Sequence, residues 1–221
     1  MSIVHTQGKF LTVEGVEGGG KSTNIQYIAD FLENKNIPFI VTREPGGTEI
    51  SEAIRHLLLS SDLPAMHSDT ELLLMFAARA EHLHKKILPA LQSGQWVLCD
   101  RFTDASYAYQ GGGRGIALQK IATLETWVQG DLRPDATLLF DLEADIGLKR
   151  TQKRGAADRF EEEAIDFFNA VRKQYLQMAQ DAPQRYHIIQ AQYDLSTVQK
   201  QLARTMETLL QSTLKSTLIE S

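Results

Sequence analysis

Residues 15–22 read Gly15-Val16-Glu17-Gly18-Gly19-Gly20-Lys21-Ser22, and no other stretch restricts the possible folds of this chain so tightly. The apolar run Phe10-Leu11-Thr12-Val13 precedes it, and helical spacing follows at Ile25, Ile28, Ala29 and Leu32. A G-x-x-x-x-G-K-[ST] pattern between a strand and a helix is a phosphate-binding loop. Glycine permits positive φ and lets backbone N–H groups reach phosphate oxygens that a side chain would hold away. The helix that follows aims the positive end of its dipole at the same anion. Lys21 is placed to reach the β- and γ-phosphates, and the Ser22 hydroxyl to ligate Mg2+, with Thr23 next to it. Chance produces the pattern in about one chain of this length in a hundred. The flanking strand and helix make accident rarer still, which sets aside a simple Gly-rich linker.

A chain of 221 residues is long enough for one sizeable α/β core. Hydrophobic residues at 43% and charged residues at 23% are ordinary for a globular protein and argue against disorder. The net charge of −5 argues against a nucleic acid polymer as the main partner, because such proteins carry a basic stripe. Cys99 is the only cysteine, which excludes an intrachain disulfide and a thiolate zinc site. Met1 to Lys9 has no apolar core of a signal peptide, and no stretch approaches a membrane span. The expectation is a cytoplasmic enzyme with no membrane partner.

Strands and helices alternate along the sequence. Apolar runs at 10–13, 38–42, 96–99, 136–140 and 187–189 read as five buried strands, the second being Pro38-Phe39-Ile40-Val41-Thr42. Helical spacing covers 22–35, a segment capped by Thr48, a long stretch from Asp69 or Thr70 to Gln92 in which Pro89 kinks or ends the helix, 118–129, a short piece at 146–149, 161–179, and 196–210. A helix over Ser106 and Tyr107 leads to a turn at Gly111-Gly112-Gly113-Arg114-Gly115. This order predicts an α/β fold, a five-stranded parallel sheet with helices on both faces. With no repeat and no long linker, residues 1–221 are expected to form one domain.

Ligands of such a sheet sit beyond the carboxyl ends of its strands. Four of the five strand ends carry charge to that rim: the phosphate loop, Arg43-Glu44, Asp100-Arg101, and Asp141. Asp100 is read as a Mg2+-orienting carboxylate, the alternative being a helix cap; for Asp141 the structural role is preferred. Arg43 and Arg101 together suit a second phosphate, belonging to an acceptor, since each presents a planar fork. Arg79 interrupts an apolar helical stretch and needs a partner, either a ligand carbonyl or solvent reached by snorkelling. Phe76, one turn away, is placed to stack on a planar base, with a core position as the alternative. Arg150, Lys153, Arg154 and Arg159 surround the small residues Gly155, Ala156 and Ala157. That composition suits a basic lid at about 150–160 whose arginines reach the transferring phosphoryl group.

The ordered set of motifs resembles the thymidylate kinases of the bacterial type. It comprises residues 15–22, Thr-Arg-Glu-Pro-Gly-Gly-Thr at 42–48, Ala-Ala-Arg at 77–79, Asp-Arg-Phe at 100–102, Tyr-Gln-Gly-Gly-Gly-Arg-Gly at 109–115 and Asp-Arg-Phe-Glu at 158–161. The resemblance implies the P-loop nucleoside-monophosphate-kinase fold and a Mg2+-dependent homodimer that moves the γ-phosphoryl group of ATP to dTMP. It places ATP on residues 15–23 and Glu17 near the sugar 3′-hydroxyl. Arg43 and Arg101 fall on the acceptor phosphate, Arg79 on thymine O4, and Ser106 and Gln110 in the base pocket. Phe76 is the stacking residue, with Met75 the neighbouring choice. Gly18 stands where one branch of the family has a loop arginine, so Lys21 and Arg101 are expected to be assisted by Arg154 or Arg150 of the lid. Asp-Arg-Phe replaces the commoner Asp-Arg-Tyr, which removes a hydroxyl at 102.

An acceptor phosphate is already ionised at neutral pH, so this reaction needs no general base, only in-line positioning and charge neutralisation. His82 and His84, two apart on a helix, make a poor metal pair. Tyr107 or Tyr109 is a candidate to crowd a ribose 2′ position. A different nucleotide or nucleoside acceptor, with Glu17 or Asp100 as base for the latter, is the first alternative. A nucleotide-dependent switch is the second.

Overall fold

A computed structural model describes residues 8–151, 159–160 and 163–219 of the chain, with side chains as far as residue 212. Lys153, Arg154, Gly155, Ala156, Ala157 and Asp158 lie outside the described residues, as does Glu161.

Five strands, β1 (Phe10–Glu14), β2 (Phe39–Arg43), β3 (Trp96–Asp100), β4 (Ala136–Asp141) and β5 (Tyr186–Gln190), form one parallel sheet in the order β2-β3-β1-β4-β5. Register follows the side-chain alternation of a strand. Leu11, Leu98 and Leu138 face the same side and join Ile25, Ile28 and Leu32 of helix α1 (Lys21–Asn34) in the larger core. Phe10, Val97 and Cys99 turn the opposite way, toward Leu83, Ile87 and Ala90. The three central strands, β1, β3 and β4, are buried on both faces and read as near-continuous apolar runs. The expectation of five buried strands fails at the edges, where Val41 of β2 and Ile188 of β5 are exposed.

Helix α2 spans Glu49–Leu59, and the Thr48 side chain accepts a hydrogen bond from Ser51 N as its cap. Helix α3 (Ser68–His82) continues through a π-helical turn, Leu83–Ile87, into α4 (Leu88–Gln92). Pro89 therefore does not end the helix. A proline ring clashes with the carbonyl four residues back, here Lys85, and the wider π turn that includes Lys85 makes room for it.

The glycine run departs from the expected turn. Helix α5 (Thr103–Ser106) passes directly into a second π-helical segment, Tyr107–Gly113. Its glycines serve close packing: a Cβ on Gly112 would sit 2.8 Å from Gln174 Cβ, and one on Gly113 2.4 Å from the Phe167 ring. Both neighbours belong to α8 (Ile165–Asp181), which lies against this segment. Helices α6 (Leu118–Gln129), α7 (Ala144–Thr151) and α9 (Leu195–Ile219) complete the described elements.

Candidate active site

The phosphate loop runs from β1 into α1 under steric constraint. Gly15 and Gly18 have φ of 134° and 75°, and a Cβ on either would stand 2.3 Å from a backbone oxygen, of Phe140 and Gly147 respectively. Gly20 caps α1 in the left-handed conformation. The buried Lys21 donates from Nζ to the carbonyl oxygens of Gly15 (3.1 Å) and Val16 (3.0 Å), with Glu17 Oε2 at 4.0 Å. Burial and then the nearby Arg101 charge lower its pKa, against the pull of Glu17 and Asp100. Ser22 and Thr23 are exposed in the first turn of α1; Ser22 lines the cavity beside the loop and Thr23 does not.

Parallel pairing brings the other strand ends to the same rim. Arg43 lies opposite Asp100 in the register, Arg101 N donates to Val13 O, and Glu44 N donates to Asp100 O. Arg101 takes a left-handed φ of 67°, uncommon for a residue with a side chain. Its Nη1 donates to Gly15 O (2.9 Å) and Tyr175 Oη (3.3 Å), and its Nη2 to Tyr109 Oη (2.9 Å) and the Glu17 carboxylate. Burial alone would push Glu17 up, but Arg101, Lys21 and the Tyr109 hydroxyl outweigh it and hold the carboxyl at about 2. Burial likewise opposes the Arg101 charge, and Glu17 keeps it in place. The pair therefore stays ionised at neutral pH.

A cavity of about 300 Å³ extends from Gly18–Ser22 past Asp100 and Arg101 to Arg79, Ser106 and Gln110. Arg79, only 2% exposed, lies over the rings of Phe76 and Phe102 at 4.5 and 5.2 Å. Its Nε donates to Glu44 Oε2 at 2.7 Å and its Nη2 to Ser106 Oγ at 3.1 Å, while Nη1 is buried with no partner among the described residues. Gln110 donates from Nε2 to Glu71 Oε1 at 2.8 Å; because a carboxylate only accepts, the amide orientation is fixed. Asp100 Oδ1 is a second buried atom with no partner among the described residues. Arg43 borders the cavity and pairs on the surface with Glu52 at 2.9 Å.

Several expected residues stand elsewhere. Phe76 is buried in a small cluster with Leu72, Ile116 and Ile121 and does not line the cavity; the neighbouring Met75 does. Adjacent residues of a helix diverge by about 100°, so only one of the two can face the opening. Tyr107 points away and donates to Glu125 Oε2 at 2.6 Å, whereas Tyr109 lines the cavity. Arg150 is also outside the cavity wall, donating to Gly18 O (3.3 Å) and Ala191 O (3.0 Å), so it braces the loop from behind. Arg154 lies outside the described residues. Asp141 forms a two-pronged pair with Arg172, at 2.7 and 3.0 Å, consistent with a structural role.

Sequence reasoning placed Glu44 at the charged rim without giving it a role, and missed Glu71, Phe102 and Phe160 as members or supports of this cavity. Glu44 carried a signal, since it follows Arg43 at a strand end. Glu71 carried none: an acidic residue in the first turn of a helix reads as dipole compensation.

The family model for thymidylate kinase matches residues 13–202. The thymidylate kinase of Ruthia magnifica subsp. Calyptogena magnifica is 52% identical over 203 residues, covering 92% of this chain and 99% of the relative. That of Pseudomonas savastanoi pv. phaseolicola is 56% identical over 204 residues, covering 92% and 97%. The crystal structure of thymidylate kinase from Ehrlichia chaffeensis superposes with a TM-score of 0.72 at 32% identity, covering 90% of this chain and 98% of that one. Taken with the phosphate loop, the parallel sheet and the charged rim, these matches establish that the chain belongs to the thymidylate kinase family.

Proposed function

We infer that the cavity carries out the reaction of its family, transfer of the γ-phosphoryl group of ATP to dTMP to give ADP and dTDP. The observation that carries this reading is one continuous cavity with two differently equipped ends. Lys21 and the loop amides stand at one end, a buried arginine with a spare donor at the other, and Arg101 lies between them.

In this reading the phosphates of ATP rest on the backbone of residues 15–22, and Lys21 exchanges its carbonyl partners for phosphate oxygens. Arg43 leaves its exposed pair with Glu52, worth only about 0–1 kcal/mol, to meet the dTMP phosphate with Arg101. Arg79 Nη1 donates to thymine O4, Gln110 and Ser106 border the base, and Met75 covers its face. Glu17, kept as a carboxylate, accepts from the sugar 3′-hydroxyl. The acceptor oxygen is already ionised, so the residues align and neutralise without removing a proton.

Asp100 and Ser22 fit a Mg2+ ion that accompanies ATP. Asp100 offers a buried oxygen with no partner among the described residues, and Ser22 shares the same cavity wall. No three acidic, histidine or cysteine side chains among the described residues are arranged to hold a metal ion by themselves, and Mg2+ ordinarily keeps water and phosphate ligands beside one or two carboxylates. Bound there, the ion would offset charge on the phosphate oxygens. Homodimerisation through the exposed apolar residues of α2, α3 and α6 belongs to the same reading. No helix among the described residues is long and apolar enough to cross a membrane.

The test is a coupled assay of ADP release with Mg-ATP and a panel of nucleoside monophosphates, run beside Arg79→Ala. dTMP should be the preferred acceptor, and Arg79→Ala should raise its KM by about tenfold or more, as expected when a buried polar contact is lost. Equal turnover of purine monophosphates, or ADP release independent of any acceptor, would overturn the reading.

A further inference from the structure

The last residue of α3, His82, is fully buried, and the roles above leave it unused. Each ring nitrogen has one partner: Nδ1 lies 3.0 Å from Glu44 Oε1, and Nε2 lies 2.6 Å from Thr42 Oγ1. A carboxylate can only accept, so Nδ1 carries the hydrogen donated to Glu44, while Nε2 shares the second hydrogen bond with the Thr42 hydroxyl. One ring thus clips two alternate residues, Thr42 near the end of β2 and Glu44 just beyond it. The next turn of the chain seals the clip. A Cβ on Gly47 would stand 2.5 Å from His82 Nε2 and 2.7 Å from Thr42 Oγ1.

Glu44 then passes the constraint on. With Oε1 held by His82, its Oε2 takes Arg79 Nε at 2.7 Å, and the Ser106 hydroxyl takes Nη2. A guanidinium is planar, so fixing two of its nitrogens fixes the direction of the third. That third nitrogen, Nη1, is the buried donor with no partner among the described residues.

We propose that His82 is a positioning residue for acceptor selection: through Glu44 it locks Arg79 so that Nη1 presents a donor to a 4-oxo pyrimidine and opposes the amino group of a 4-amino pyrimidine. The proposal rests on the reading that the Arg79 end of the cavity takes the base. An Arg79 free to swing would still attract a carbonyl but would lose its penalty against a facing donor, because specificity comes from polar groups that cannot move to avoid a mismatch.

The experiment measures steady-state kinetics of the purified full chain with dTMP and dCMP as acceptors. The variants are His82→Leu, His82→Gln, Thr42→Val, Arg79→Ala and the double variant of His82→Leu with Arg79→Ala. His82→Leu should raise the KM for dTMP about tenfold and narrow the dTMP-to-dCMP preference by a similar factor, a coupling ordinary for one hydrogen-bond network. The kcat and the KM for ATP should stay within about twofold, since the phosphate end is untouched. His82→Gln keeps a donor for Glu44 and should recover most of the loss.

In the double variant, replacing His82 should add nothing to the effect of Arg79→Ala. An equal added effect there, a parallel rise in the KM for ATP, or an unchanged KM in folded His82→Leu protein would each overturn the proposal. If His82→Leu does not fold, the isosteric Thr42→Val carries the test, with the same split between the two substrates expected and its absence decisive. Should Arg79→Ala leave the KM for dTMP unchanged, the reading of the cavity falls together with the proposal. A strong Arg79→Ala effect without a His82 effect removes the proposal alone.

Discussion

The hydroxyl of Tyr175 on α8 lies 2.6 Å from Glu14 Oε2, at the carboxyl end of β1 where the phosphate loop begins. Phe102 N donates to the other oxygen at 2.7 Å, and Arg101 Nη1 reaches the same tyrosine at 3.3 Å. Glu14 is fully buried, and desolvation, assisted by Asp104, pushes its pKa from 4.5 up to about 8 against the opposing pull of Arg101 and Tyr175. The folded state therefore holds a proton that the unfolded chain releases. The sign is unfavourable to folding with rising pH: the Glu14 contribution to stability falls between about 4.5 and about 8. Denaturant unfolding of the parent and Glu14→Gln at pH 5 and pH 8 should show a flatter pH dependence in the variant; equal slopes would refute the assignment.

Arg101 combines a left-handed backbone with four hydrogen-bond acceptors, so its fork is fixed before any substrate arrives. Arg101→Lys keeps the charge and loses the fork. Its kcat/KM for dTMP should fall by about a hundredfold or more, because one ammonium cannot bond the loop carbonyl, Glu17 and a phosphate in a fixed plane. Near-parental kinetics would mean that charge alone suffices there.

Much of this architecture was legible in the sequence because parallel strands announce themselves as apolar runs and end in charge at a single rim. Arg43, Asp100 and Arg101 could be placed together on that ground. The misplacements share a physical cause, which is that spacing fixes a residue along an element but not what faces it. Glycines 111–113 signal a turn or a close approach equally well, and only their distant neighbours, Leu118 on α6 and Gln174 and Phe167 on α8, decide between them. The link between His82 and Glu44 spans 38 positions and leaves no local trace.

Gly147, which drew no notice in the sequence, packs directly against the phosphate loop. Its Cβ would meet Glu17 O at 2.4 Å, and a Cβ on Gly18 would meet Gly147 O at 2.3 Å. Since both close contacts are to backbone, neither segment can yield by a rotamer change. Gly147→Ala should cost about 1–3 kcal/mol by overpacking. It should also raise the KM for ATP more than that for dTMP. Differential scanning calorimetry and kinetics read the two effects, and an unchanged KM for ATP would contradict the contact.

Trp127 on α6 is 81% exposed, Leu73 on α3 is 55% exposed and Leu57 on α2 is 46% exposed, and α3 packs against both of the other helices. Exposed large apolar side chains on helices that pack together are the candidates for the interface of the proposed dimer. Light scattering of the parent should give twice the chain mass. Leu73→Arg combined with Trp127→Glu should give the single-chain mass with the circular dichroism of the parent, whereas persistence of the dimer in that variant would place the interface elsewhere.

Met75 and Phe76 separate folding from binding. Phe76 is 2% exposed and supports the Arg79 guanidinium from beneath at 4.5 Å, so its loss opens a cavity under a buried cation. Phe76→Ala should cost about 3–5 kcal/mol of stability. Met75 is half-buried and lines the opening, and a flexible thioether suits contact with a planar ring. Met75→Ala should therefore spare most of the stability and raise the KM for dTMP several-fold, while Met75→Leu, similar in volume, should stay close to the parent. Urea midpoints and acceptor KM values for the three variants decide the matter. A large stability loss in Met75→Ala, with Phe76→Ala folded and impaired only for dTMP, would reverse the assignment and return the stacking role to Phe76.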